Sequence, residues 1–106
     1  MDRYLIEASY TREGLQGVLK EGGSGRRDAI GKLLADIGGS LESFHFAFGG
    51  TDAFVIVDVP DNVTAAAIGM TVGASGAVST KTVVLLTPEE IDEAAKKSIA
   101  YRPPGK

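Results

Sequence analysis

Cysteine and tryptophan are absent from this 106-residue chain, and histidine occurs once. Without cysteine there are no disulfides, no thiolate catalysis and no thiolate-held metal. One histidine with scattered carboxylates does not make a metal-ligand cluster either. A basic excess is also missing: 11 Lys and Arg stand against 14 Asp and Glu, for a net charge of -3. Nucleic-acid binders carry clustered positive charge to displace counterions from phosphates, so no nucleic-acid partner is expected. No apolar run approaches the roughly 20 residues that span a bilayer. The opening MDRYLIEAS lacks the apolar segment of a secretory signal. These absences predict a cytoplasmic protein with no membrane partner.

What is present suits one folded domain with a real core. Hydrophobic residues make up 43% of the chain and charged residues 24%. Glycine is abundant, at 14 residues. The pairs Gly22-Gly23, Gly38-Gly39 and Gly49-Gly50 punctuate the chain at joints between elements. A single domain over residues 1–100 is expected, with a frayed tail over 101–106.

Arg3 to Tyr10 alternates as a strand, with Tyr4, Ile6, Ala8 and Tyr10 on one face and Leu5, Glu7 and Ser9 on the other. Thr11 suits a helix N-cap, and Gly22-Gly23 ends the short helix it starts, as a break within one helical region that continues to Gly38-Gly39. Ser24 is the next candidate cap, before the apolar stripe Ala29, Ile30, Leu33, Leu34 and Ile37. Ser40–Phe48 and Thr51–Val59 read as strands joined by a turn at Gly49-Gly50. Asp61 caps a thin, Ala- and Gly-rich helix over 62–74, and Val78–Leu86 is a fourth strand. Thr87-Pro88-Glu89-Glu90 carries a capping box and a first-turn proline, which start a last helix reaching about Ile99.

Strand, helix, strand, strand, helix, strand, helix is the α+β, ferredoxin-like βαββαβ order with an added C-terminal helix. It predicts a four-stranded antiparallel sheet with two helices on one face and the third strand between the first and second. Both sheet faces carry apolar residues, yet the chain supplies main helices for only one. A second copy would cover the other face, so a homodimer or higher homo-oligomer is expected.

The runs YLIEASYT, EGGSGRRDAIGKL, FHFAFGGTDAFVIVDVPDN and TVVLLTPEEID resemble the GYD-domain family. The resemblance spans Tyr4 to Ala95. It implies the dimeric α/β-barrel superfamily, in which two sheets face one another. The signature Gly-Tyr-Asp falls on Gly50, Thr51 and Asp52, so threonine replaces the tyrosine. That superfamily includes monooxygenases, isomerases, haem enzymes and small-molecule binders, so the fold does not choose a function.

The polar exceptions on apolar strands are the candidate site. His45 could act as a general acid or base, or be an ordinary hydrogen-bonded strand residue. Glu7, with Ser9 two residues on, could bind or deprotonate a ligand. Its structural alternative is a hydrogen bond to Thr80 or Thr82 on the fourth strand. Asp52 either fixes the turn or places a polar group at the barrel mouth. Ser24 and Arg27, in a glycine-rich segment opening a helix, could attract an anion, though neither a Walker loop nor a dinucleotide fingerprint is present.

Three readings compete. The leading one is a cofactor-free, homo-oligomeric binding or assembly module for a small molecule. The alternatives are a cofactor-independent enzyme acting on a hydrophobic compound, and an anion or nucleotide sensor.

Overall fold

In a computed structural model covering residues 1–106, the chain runs β1 (Asp2–Tyr10), α1 (Arg12–Asp36), β2 (Ser40–Phe46), β3 (Ala53–Val59), α2 (Asn62–Ala74), β4 (Val78–Leu85) and α3 (Pro88–Ala95). The strands form one antiparallel sheet in the order β2-β3-β1-β4. The ferredoxin-like arrangement and the central place of β3 follow the expectation.

Burial follows the alternation. Ala53, Val55, Val57 and Val59 are buried on the helix-facing side of β3, with Tyr4 and Ala8 of β1 beside them. Leu34 of α1 and Ala65 of α2 close this core from above. Tyr4 is 1% exposed, and its hydroxyl donates to Asn62 Oδ1 at the start of α2. A buried phenol needs such a partner.

The caps act as the residue types suggest. Thr11 Oγ1 accepts from Gly14 N at 3.2 Å, and Asp61 Oδ1 accepts from Thr64 N at 2.8 Å. Thr87 and Glu90 complete their reciprocal box at 3.1 and 2.9 Å. Gly38, at φ 78°, lets Gly39 N reach back to Leu34 O and end α1.

Four local details depart from the sequence reading. Ser24 caps nothing: α1 is the expected single region broken at the glycines, but the break is at Gly22 alone (φ 80°, ψ 165°), and helical geometry resumes before Ser24. The break brings Gly23 against the Phe46 ring, where an added Cβ would lie 3.1 Å away. The strands β2 and β3 stop short of the expected ends, because residues 47–52 form a wider loop closed by Ala47 N to Asp52 O at 2.7 Å. A bulge between Leu41 and Ser43 shifts the β2–β3 register. The last helix ends at Ala95 rather than near Ile99.

The joint between α1 and β4 is tight. Thr11 N donates to Ala77 O at 2.9 Å, and a Cβ on Gly14 would lie 2.0 Å from that same oxygen. Around Gly17, one turn on, space is open. Gly14→Ala is expected to destabilise the fold by about 1–3 kcal/mol through this clash. Gly17→Ala is expected to stabilise it by up to about 1 kcal/mol through helix propensity. Urea unfolding of the two variants checks the contrast; equal effects would contradict it.

Candidate functional site

Two places gather unusual side chains. The first is a chamber between the helices and the sheet. Its volume is about 60 Å³, and its walls are mostly aliphatic, from Ile6, Val55 and Val57 below to Ile30, Leu33 and Ile68 above. It exists because α2 is thin: Gly69 lines the chamber, and a Cβ there would meet only Thr80 Oγ1, at 3.7 Å. Arg26 is the one charged residue in its lining; Tyr10, Thr80 and Thr82 add hydroxyls.

A second hollow of about 340 Å³ lies between the start of α1 and the end of α2. Tyr10, Arg26, Val72 and Val78 line both spaces, so the hollow adjoins the chamber. Glu13 and Glu21 add acids there, and Glu21 Oε1 pairs with Arg26 at 3.5 Å. Burial pushes the Tyr10 phenol above its usual value, while the neighbouring Arg26 guanidinium pulls it back.

The second place is the sheet face away from the helices. Register sets Lys81, Glu7, Phe54 and His45 in one row across β4, β1, β3 and β2. The next row is Val83, Leu5, Ile56 and Ser43. Beyond it Arg3 binds Asp58 through two hydrogen bonds of 2.9 and 3.1 Å and reaches Glu42 at 3.3 Å. Phe54, 37% exposed, therefore separates Glu7 from His45. Neither the chamber nor the hollow beside it is lined by Glu7 or His45.

Glu7 does find a hydroxyl, but from Thr51, whose Oγ1 donates to Glu7 Oε1 at 3.3 Å. Thr80 and Thr82 are unsuitable because they face the chamber on the opposite side of the sheet. Ser9 Oγ donates to Gly50 O at 3.1 Å. Asp52 N donates to Ala8 O, and Asp52 Oδ2 accepts from Tyr10 N, both at 2.9 Å. Gly50, Thr51 and Asp52 thus clip the hairpin loop onto the end of β1. Glu7, Ser9 and Asp52 are brought together by this clip; His45, Ser24 and Arg27 lie elsewhere.

A family model described as GYD domain matches residues 4–95. The chain belongs to the GYD-domain family. In this GYD domain the three signature positions are the clip, which gives them a structural task that threonine performs through its hydroxyl. No curated protein and no solved structure gives a significant match.

Arg27 pairs with its neighbour Asp28 at 3.2 Å on the exposed side of α1. The arginine facing the chamber is Arg26, which the sequence reading placed in the glycine-rich segment but did not choose over Arg27. Helical spacing links Arg26 to Ile30 and Leu33, and Arg27 to Ile30 and Leu34; Arg26 stands nearer the middle of that stripe. No group of three or more metal-ligating side chains comes together.

The carboxylates with shifted acidity lie at the sheet end and a helix cap. Hydrogen bonds from Arg3, aided by its charge, hold Asp58 below the usual carboxylate range. The Thr64 amide and hydroxyl do the same for Asp61. Both folded values lie below the unfolded one, about 3.9. Their stabilising effect is therefore complete above that value and lost as pH falls through the folded values. Arg3 is half-exposed, so the pair's gain is modest. Asp58→Asn is expected to flatten the acid-side loss of stability, followed by circular dichroism. An unchanged acid limb would contradict this assignment.

Proposed function

We propose that this protein is a homodimeric binding module for a small, mostly apolar molecule, built as a dimeric α/β barrel. The ligand enters between α1 and α2 and lodges between the helices and the sheet. The observation that carries this reading is the incompletely filled chamber beside the larger hollow that would serve as its mouth. An aliphatic space under a thin helix is costly to leave unfilled, because its lining loses dispersion partners. A ligand restores them.

The chamber at about 60 Å³ is narrower than the roughly 150 Å³ space that accepts benzene in an engineered core. A ring-sized ligand therefore needs the chamber to open into the hollow beside it, through movement of Arg26 and Val72, which line both spaces. The joint at Thr11 and Gly14 stays fixed while they move. Arg26 then meets the polar end of the ligand by exchanging its contact with Glu21.

The second copy is motivated by the open sheet face, where Leu5, Phe54, Ile56 and Val83 form an apolar centre among charged neighbours. A catalytic reading would need Glu7 and His45 at one cavity, and Phe54 stands between them.

The test uses indole, naphthol and octanoate as probes. At least one is expected to bind and raise the thermal midpoint by several degrees, since tenfold excess over Kd adds about 1.4 kcal/mol. Gly69→Leu, which projects a side chain into the chamber, is expected to fold and to lose this binding. No midpoint shift with any probe, or undiminished binding by Gly69→Leu, would contradict the reading.

A further inference from the structure

Beyond β4 the chain leaves the body of the domain. The radius of gyration is 16.8 Å and the longest dimension 55 Å. A compact chain of this length has a radius of about 13 Å. The accessible surface is 7427 Å². A compact monomer of this mass exposes about 5,600 Å². The excess, on the order of 1,800 Å², lies well above the roughly 800 Å² that one partner buries in a standard interface.

The arm after β4 is not built for water. α3 has 8 residues and no buried one, and it packs substantially against no other element. Isolated helices shorter than about 12–15 residues are marginal even with good caps. Ile91, Ala94 and Ala95 give it an apolar side. Leu86 is 57% exposed, Ile99 82% and Tyr101 73%.

Where the arm leaves the sheet, it overhangs the open face. A cleft of about 700 Å³ lies between Thr87, Pro88 and Glu90 on the arm side and Arg3, Ile56 and Leu85 on the sheet side. The arm and the open face are two walls of one space. Whatever packs on that face must also meet the arm.

We infer that the arm, Leu86 to Tyr101, clasps a second copy of this chain whose sheet occupies the cleft. This rests on the homodimer proposed above and names what holds it. Two-fold symmetry makes the exchange reciprocal: each arm gives its apolar helix side to the other protomer. The docked helix gains the packing that its length requires.

The cysteine-free chain makes the test direct, because one introduced cysteine carries a label alone. Benzophenone-maleimide is attached to Ala95→Cys, and the labelled chain is mixed with an isotopically heavy, unlabelled chain. Photocrosslinks are expected between light and heavy copies. Crosslinks only within one chain, or none, overturn the arm. A second label at Phe54→Cys, on the open face, separates the two ideas. Interchain crosslinks from Phe54→Cys with none from Ala95→Cys sink the arm and leave the dimer; none from either sinks both. In the full unlabelled chain, Ile91→Asp is expected to raise the dimer dissociation constant at least about tenfold, as for a central apolar anchor. An unchanged constant also overturns the proposal.

Discussion

The antiparallel register of β3 against β1 sets Val57 opposite Tyr4, Val55 opposite Ile6 and Ala53 opposite Ala8. These residues share the face beneath the helices, and period-two alternation leaves no freedom in the rest. Once they point inward, Phe54, Ile56, Leu5 and Glu7 must point to the other side. A slip of one residue would bury Glu7 and Asp58 under the helices, at the cost of unpaired charge. The inner and outer faces of the sheet, and every candidate side chain on them, follow from this pairing.

The helix layer meets that inner face with unequal strength. α1 contributes Leu34 to the core from its second half, while its first half is held by the joint at Thr11 and Gly14. α2 contributes Ile68 and Val72, with only Ala65 and Gly69 between and beside them. Thin side chains let a helix approach closely, but they fill little volume. The chamber and the hollow beside it are lined by both the broken helix and the thin helix, and the joint at Ala77 borders the hollow.

Much of the fold was legible in the residues. Thr11, Asp61 and Thr87 are short oxygen-bearing side chains placed before apolar helical stripes, and each caps its helix as capping chemistry requires. Alternation from Tyr4 to Tyr10 assigned both faces of β1. The Gly22 break within one helical region was visible too, because glycine tolerates the odd φ without ending the run; that it needs no new cap at Ser24 was not. The bulge at Leu41 and Ser43 had no local signal, because a bulge answers to the partner strand. The site was less legible. Glu7 called for a hydroxyl, and candidates on the neighbouring strand seemed natural by position. The hydroxyl came instead from Thr51, because a loop of six residues folds back across β1. Arg26 and Arg27 are adjacent in sequence, yet helical geometry turns one to the chamber and the other to water.

The clip at Gly50, Thr51 and Asp52 holds the hairpin loop against the end of β1. It orders the loop beside β1 and so fixes the edge of the face that a second copy would cover. That coverage is the central claim, and sedimentation equilibrium at low micromolar concentration measures it most directly. A mass twice that of the 11.0 kDa chain is expected. A single-chain mass under those conditions would contradict the account.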